Sequence, residues 1–148
     1  MSCNVPKLSN CIEAYAISLA DQRILVVDDE EGARKALTLI LAPFYCVDTA
    51  EAACDALKII IEPPIELVIM DLRLPDYDGI ELLRRMRANG RGVNVIMISG
   101  RGSQESAQEA LLLGAMAYPL KPFNISEFLT LVEDGLKTKN AQPISGWQ

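Results

Sequence analysis

Residues 66–79 read Glu-Leu-Val-Ile-Met-Asp-Leu-Arg-Leu-Pro-Asp-Tyr-Asp-Gly, and this stretch decides the fold. It contains an unbroken apolar run at 67–70, which is typical of a central strand of a parallel sheet because such a strand is buried on both faces. The run stops at Asp71, whose carboxylate cannot stay buried and ionised without partners. We therefore expect Asp71 at the carboxyl end of the strand, which is the edge where open α/β sheets bind ligands.

The bulk composition indicates one globular domain. The chain has 148 residues, 50% of them hydrophobic, and its 14 basic and 20 acidic side chains give a net charge of −6. This length supports a proper core, whereas the acidic balance argues against nucleic-acid binding. No apolar segment approaches the roughly 20 residues that span a bilayer, and no secretion signal is recognisable. We expect a cytoplasmic domain that contacts neither nucleic acid nor membrane.

Cysteine and histidine usage excludes several kinds of site. The four cysteines lie at positions 3, 11, 46 and 54 without a C-x-x-C pair, and the sequence has no histidine. The usual Cys/His zinc sites are therefore disfavoured, and histidine-based acid–base or triad chemistry is excluded within the chain. Cys46 and Cys54 are interpreted as small core residues. Any phosphohistidine that takes part must come from another protein.

Hydrophobic periodicity predicts five strands alternating with five helices. Short apolar or β-branched runs predict strands at 23–27, 45–49, 67–70, 93–98 and 117–120. Apolar residues at helical spacing predict helices at 31–42, 50–61, 80–89, from an N-cap at Ser103 to about Gly114, and from about 125 to 137. This alternation implies a doubly wound α/β fold, (βα)5, with a parallel sheet and helices on both faces.

Individual residues of these helices and strands give further expectations about burial, capping and pairing. The buried helix stripes are predicted to include Ile61 and Ile125, and Asn124 with Glu127 resembles a capping box. The arginines of the third helix are interpreted as a solvated face. Pro119 in the fifth strand should lie where the ladder needs no amide donor.

Flanking segments bound the domain at residues 23–137. Residues 1–22 form an N-terminal extension whose apolar spacing predicts a short helix. Such a helix would dock on the domain, contact a partner or remain poorly ordered. Residues 138–148 are polar and contain Pro and Gly, which is typical of a tail or the stump of a linker.

Polar residues follow four of the predicted strands. Asp28 and Asp29 follow the first strand, Asp71 the third, Ser99 the fourth and Lys121 the fifth. If the first and third strands are central neighbours, these ends converge on one pocket. Clustered carboxylates need a cation, and oxygen-only ligands suit a hard ion such as Mg²⁺. A carboxylate nucleophile, a metal, a lysine and a hydroxyl are the parts for phosphoryl transfer to a carboxylate.

Four motifs carry a resemblance to a known family. They are residues 24–30 (Ile-Leu-Val-Val-Asp-Asp-Glu), 71–79, 98–100 (Ile-Ser-Gly) and 114–123 (Gly-Ala-Met-Ala-Tyr-Pro-Leu-Lys-Pro-Phe). In this order and at strand ends, they make residues 23–137 resemble a response-regulator receiver domain of two-component signalling, which is CheY-like. The resemblance implies a flavodoxin-like, five-stranded parallel sheet in the order 2-1-3-4-5, with two helices on one face and three on the other.

The resemblance also implies roles at the expected pocket. Asp71 matches the phosphoacceptor, and Asp28 and Asp29 match the acidic pair that holds Mg²⁺, for which Mn²⁺ could substitute. The backbone carbonyl of Arg73 occupies the position that completes the metal shell. Asp71 itself belongs to the same ligand set.

Three further positions match the family's switch machinery. Ser99 matches the hydroxyl that moves toward the phosphoryl group, and Lys121 matches the lysine that contacts its oxygens. Tyr118 matches the aromatic residue that moves inward after phosphorylation. The Lys121–Pro122 bond matches the family's cis peptide.

The implied partner is a sensor histidine kinase or a histidine phosphotransfer protein. The implied output is a change on the face made by the fourth helix, fifth strand and fifth helix, and a homodimer through this face is one possible assembly. Leu112, Leu113 and Met116 near that face are either partner contacts or core. The domain would catalyse only its own phosphorylation and dephosphorylation.

This interpretation has two versions, and two other classes of protein compete with it. The chain is either a complete regulator or relay protein, or a receiver excised from a longer regulator with an output domain. An interaction module that is never phosphorylated would be expected to lack one of the site residues. A small phosphohydrolase would carry a second aspartate at the position of Arg73.

Overall fold

The computed structural model describes residues 22–61, 65–88, 92–100 and 104–137. The predictions for 1–21, for the N-cap at Ser103 and for the tail lie outside these residues. Within them, four strands alternate with helices as expected: β1 (Arg23–Val27), α1 (Glu31–Leu41), β2 (Cys46–Ala50), α2 (Ala53–Ile61), β3 (Leu67–Asp71), α3 (Gly79–Ala88), β4 (Asn94–Ile98), α4 (Gln104–Leu112) and α5 (Ile125–Lys137). None of these described helices has the length and apolar character needed to span a bilayer.

The sheet is parallel, with the strand order β2-β1-β3-β4. Val26 pairs with Ile69, and Ile69 pairs with Ile96, so the two central strands lie side by side. Residues 67–70 of β3 are each 0% exposed, as a central strand covered on both faces requires. The predicted α/β fold and the order of its first four strands are therefore confirmed.

Helices cover both faces of this sheet. One core joins alternate strand residues such as Ile24 and Ile69 to α1 and α5. The other joins Leu25 and Val68 to α2, α3 and α4. The period-two alternation of a strand sends successive side chains to opposite cores. The two-and-three distribution of helices is the one that the family resemblance implies.

The predicted fifth strand is present as an interrupted segment, residues 117–120, which we call the edge segment. It joins β4 through two parallel bridges, Ile96–Ala117 and Ser99–Leu120. The Met97 amide donates to Ala117 O at 3.1 Å, and a regular ladder would next need an amide at position 119. Pro119 has no N–H, so the expectation that it avoids a donor position was wrong and the strand is interrupted there.

Some helix residues differ from their predicted burial. Ile61 and Ile125 are 61% and 54% exposed, because each lies at a helix terminus beyond the part of the helix that covers the sheet. Cys54 is also exposed, whereas Cys46 is buried in β2. Half of the expected capping box is confirmed, since Asn124 Oδ1 accepts from the Glu127 amide at 3.0 Å.

The arginines of α3 do not form one solvated face. Arg84 and Arg85 are exposed and pair with Glu81. Arg87 is partly buried, and its guanidinium donates to the carbonyls of Leu113, Val93 and Gly114. Arg87 therefore ties the end of α3 to the start of β4 and to the turn after α4.

Candidate functional site

Asp71 is the last residue of β3, and both of its carboxylate oxygens have a partner. Oδ1 accepts from the Arg73 amide at 2.9 Å, and Oδ2 accepts from Lys121 Nζ at 3.0 Å. The loop that follows returns close to the strand. A Cβ at Gly79 would lie 2.7 Å from the Asp71 carbonyl oxygen, so only glycine fits there. The nucleophile candidate is thus held at the sheet edge by a compact turn.

Asp28 follows β1 and is completely buried. Its Oδ1 accepts from the Glu30 amide at 2.9 Å, and its Oδ2 lies 3.5 Å from Lys121 Nζ. Burial is the largest cause that raises the pKa of Asp28, and the charge of Asp71 adds to it. The Glu30 amide and Lys121 oppose this rise, but the net pKa is above the ordinary value.

Lys121 lies just after the edge segment and bridges the two carboxylates. Its amide donates to Ser99 O at 2.8 Å, and the peptide bond to Pro122 is cis, as the resemblance implied. Burial lowers the pKa of Lys121, but Asp71 and Asp28 raise it by more. The ammonium group is therefore charged at neutral pH, and it supplies one positive charge to two carboxylates.

These groups border an open pocket of ≈ 360 Å³ at the carboxyl edge of the sheet. Its lining contains most of the predicted site residues: Asp29, Asp71, Arg73, Ser99 and Lys121, together with Glu30 and Gly100. Asp28 lies behind this lining, in contact with Lys121. The convergence that the strand-end pattern predicted is thus present in the structure.

The pocket has the donor chemistry for a hard cation. Within the described ranges, no three acidic or cysteine side chains form a ready-made metal cage. Mg²⁺ does not need one, because it keeps several waters and takes one or two carboxylates. The buried Oδ2 of Asp28 accepts no hydrogen bond from any described residue, which leaves it a free lone pair for an ion. Asp28, Asp29 and Asp71 therefore fit Mg²⁺ by type.

Ser99 and Tyr118 are both buried, at 1% and 2% exposure. Tyr118 belongs to the core beneath α2, α3 and α4. Burial raises the pKa of its hydroxyl, and the nearby Ser99 and Ser106 side chains oppose that rise. The aromatic ring expected to move inward after phosphorylation already lies inside in this structure.

The apolar residues near α4 divide between core and surface. Met116 is 1% exposed and belongs to the core, Leu113 is partly buried, and Leu112 is 88% exposed. Only Leu112 of the three is available to a partner.

Several residues near the site were not singled out from the sequence. Arg34 donates to the Asp28 carbonyl at 2.8 Å, and Asp76 accepts from the Ala53 and Cys54 amides across the start of α2. Glu30 contributes its backbone amide to the Asp28 carboxylate. Arg34 has no distinguishing local pattern, and Asp76 reads as an ordinary turn residue.

Fold and pocket together define a doubly wound α/β domain with an acidic, lysine-bridged site at its carboxyl edge. Residues 24–133 match the sequence model of the response regulator receiver domain family, and the chain belongs to that family. Receiver domains are phosphorylatable aspartate switches of two-component signalling, and this chain is such a domain.

Curated relatives match most of this chain. It is 32% identical to sporulation initiation phosphotransferase F of Bacillus subtilis, over 82% of this chain and 99% of the relative. It is 34% identical to the chemotaxis protein CheY of Treponema pallidum, over 80% and 85%. It is 33% identical to the regulatory protein AtoC of Escherichia coli, over 82% of this chain but only 26% of that relative. The chain thus spans nearly all of some relatives and about a quarter of another.

Solved structures share the fold. A CheY-like receiver domain protein from Methanospirillum hungatei is 33% identical, with a TM-score of 0.74 over 78% of this chain and 94% of that one. The beryllofluoride-activated NtrC4 receiver domain dimer is 34% identical, with a TM-score of 0.73 over 78% and 96%.

Proposed function

We propose that Asp71 accepts a phosphoryl group from a phosphohistidine of a sensor kinase or phosphotransfer protein. One observation carries this proposal: Lys121 Nζ lies 3.0 Å from Asp71 Oδ2 and 3.5 Å from Asp28 Oδ2 at the border of an open pocket. A lysine and a second acid beside an accessible carboxylate are the arrangement that phosphoryl transfer to a carboxylate needs. The domain catalyses only its own phosphorylation and dephosphorylation.

A new P–O bond forms to a carboxylate oxygen of Asp71, the P–N bond of the donor imidazole breaks, and the imidazole leaves and takes up a proton. Lys121 contacts the phosphoryl oxygens as a compact positive charge. Ser99 donates a hydrogen bond to the same group. Water later attacks the phosphorus, the P–O bond to Asp71 breaks, and the products are the free carboxylate and inorganic phosphate.

A divalent ion belongs to this proposal. Asp28, Asp29, Asp71 and the backbone carbonyl of Arg73 would hold Mg²⁺, with Mn²⁺ as a substitute. When bound, the ion neutralises charge on the phosphoryl oxygens. The chain's own part is to keep Asp28 ionised in a buried position, which the Glu30 amide and Lys121 favour.

The output is a shift between two arrangements of the face made by α4, the edge segment and α5. Movement of Ser99 toward the phosphoryl group stabilises the arrangement with Tyr118 inside. Leu112, Leu120 and Ile125 are exposed along this face and provide apolar contacts for a second copy or a target. The target is either a separate protein or an output domain of a longer regulator, since the chain covers 99% of one relative and 26% of another.

Labelling with a small phosphodonor tests the acceptor. With acetyl phosphate and Mg²⁺, the unmutated chain is expected to gain one acid-labile phosphoryl group, seen by intact mass spectrometry. Asp71→Asn should reduce labelling by at least about a hundredfold, because the nucleophile is lost. Asp55→Asn, at an exposed position in the first turn of α2, is the matched control and should label normally.

Undiminished labelling of Asp71→Asn would reject the acceptor assignment. No labelling of the unmutated chain by acetyl phosphate or by any phosphohistidine donor would favour the interaction module that is never phosphorylated. EDTA should block labelling of the unmutated chain, and Mg²⁺ or Mn²⁺ should restore it.

A further inference from the structure

The turn between β1 and α1 carries Asp28 and Asp29, and it is held from three directions. The Asp28 amide donates to Ala50 O at 3.1 Å, which extends the ladder with β2. The Asp28 carboxylate accepts from the Glu30 amide at 2.9 Å. The Asp28 carbonyl lies beyond the strand and before the helix, so neither element supplies its donor. Arg34 Nη1 supplies it at 2.8 Å.

The Asp28 carbonyl is the principal partner of Arg34. The Arg34 side chain is only 15% exposed, and its other neighbour, Glu51 Oε1, is at 4.0 Å on a side chain that is 72% exposed. An ion pair at that distance with an exposed partner contributes little. A guanidinium that donates to a carbonyl forms a charge-assisted hydrogen bond with a fixed direction.

The position of this carbonyl determines where the next residue points. A peptide unit is planar, so the Asp28 carbonyl and the Asp29 amide turn together. A donor that fixes the carbonyl therefore fixes the backbone from which both carboxylates project. Partners of this outer kind commonly set metal affinity in proteins.

We propose that Arg34 is a positioning residue that holds the Asp28–Asp29 turn in the orientation that binds Mg²⁺. The inference rests on the proposed function only in that the two carboxylates serve as ligands of the ion. Arg34 itself touches neither the ion nor the phosphoryl group.

The test is a Mg²⁺ titration of the unphosphorylated full chain, followed by NMR at the Asp29 and Glu30 amides. Arg34→Gln should raise the half-saturating Mg²⁺ concentration about tenfold. Arg34→Lys keeps the charge and one donor but loses the fixed direction of the guanidinium, so it should also weaken Mg²⁺ binding, though less than Arg34→Gln. Lys35→Gln removes a positive charge from the next, exposed position, where Lys35 pairs with Glu31, and should match the unmutated chain.

A folded Arg34→Gln chain with an unchanged titration would overturn the proposal, and so would equal weakening by Lys35→Gln, which would indicate a general charge effect. If Arg34→Gln does not fold, Arg34→Lys decides. An unchanged titration then counts against the proposal, and a weakened one with altered Glu30 amide shifts supports it. Failure of the proposed function would appear separately, as labelling of Asp71→Asn, because the titration requires no phosphorylation.

Discussion

At Asp28, the charge that the site requires lowers the stability of the fold. It is buried, its pKa is raised by burial and by Asp71, and it shares the single charge of Lys121 with Asp71. Because its pKa is higher in the folded chain than in the unfolded chain, ionised Asp28 destabilises the fold. This loss of folding free energy is absent below the pKa of Asp28 in the unfolded chain. It grows as pH rises toward the pKa in the folded chain and is complete above that pKa.

Replacing this carboxylate should therefore stabilise the chain. In the absence of divalent ions at neutral pH, Asp28→Asn is expected to raise Tm by about 3 °C, since one carboxylate then remains for one lysine. The asparagine oxygen can still accept from the Glu30 amide. The gain should shrink as pH is lowered through the raised pKa of Asp28, because the carboxylate of the unmutated chain then becomes protonated. Thermal unfolding in EDTA between pH 4 and 7 measures it.

Asp48 provides the matched control. It is 3% exposed in β2, and it has its own cation, Arg23. Asp48→Asn leaves Arg23 without its counter-charge and should lower Tm by several degrees. If Asp28→Asn lowered Tm as well, the carboxylate of Asp28 would be a stabilising group in the absence of metal. The proposed destabilisation by ionised Asp28 would then be refuted.

At the scale of elements, the loop after β3 is joined to α2 by one side chain. Asp76 accepts from the Ala53 and Cys54 amides at 3.0 and 2.9 Å, and from the Tyr77 amide at 3.1 Å. The first amides of a helix have no partner within it, so Asp76 caps α2 from a distant loop. Burial raises the pKa of Asp76, but the Cys54, Ala53 and Tyr77 amides lower it by more.

Asp76→Ala should remove this cap and cost about 1 kcal/mol of stability at neutral pH. Because the folded pKa of Asp76 is lowered, its stabilisation is present above the unfolded pKa and is lost as pH falls through the folded pKa. Urea unfolding should therefore separate the variant from the unmutated chain at pH 7 and bring the two together once the pH has fallen below the lowered pKa of Asp76. Asp55→Ala, in the first turn of the same helix, is the control and should cost less. Equal losses from both variants would refute a specific cap.

The sequence predicts features that depend on local spacing, and it does not predict contacts between distant segments. Strand runs and helix stripes depend on local periodicity, so the bounds of β1, β3 and α5 agreed closely with expectation. Asp28, Asp71 and Lys121 converge because parallel strands share one carboxyl edge, which topology alone dictates. The contacts of Arg34, Asp76 and Arg87 join segments by side-chain reach, and no spacing rule reports them. Pro119 had a local signal, but its register with β4 was not readable.

At the scale of the molecule, the sheet separates a site edge from an output face. The pocket lies at the carboxyl ends of the strands, and Lys121 follows the edge segment directly. Ser99 pairs with Leu120 in that segment through a backbone bridge. A displacement of Ser99 at the pocket is therefore transmitted directly to the edge segment and not through the packing of either core. Leu112 and Leu120, at 88% and 56% exposure, lie in α4 and the edge segment beside α5.

This arrangement predicts association that depends on activation. The NtrC4 receiver domain forms a dimer in its beryllofluoride-activated form. We expect beryllofluoride with Mg²⁺ to shift the present chain from monomer toward dimer in sedimentation velocity, and Leu112→Glu to weaken that dimer at least about tenfold by placing a charge in its apolar contact. Leu39→Glu, at a 77% exposed position of α1, which is not one of the elements that make this face, is the matched control and should leave the dimer intact. If the chain stays monomeric with beryllofluoride bound, we expect this face to bind a different protein instead. Such binding is what a relay component requires.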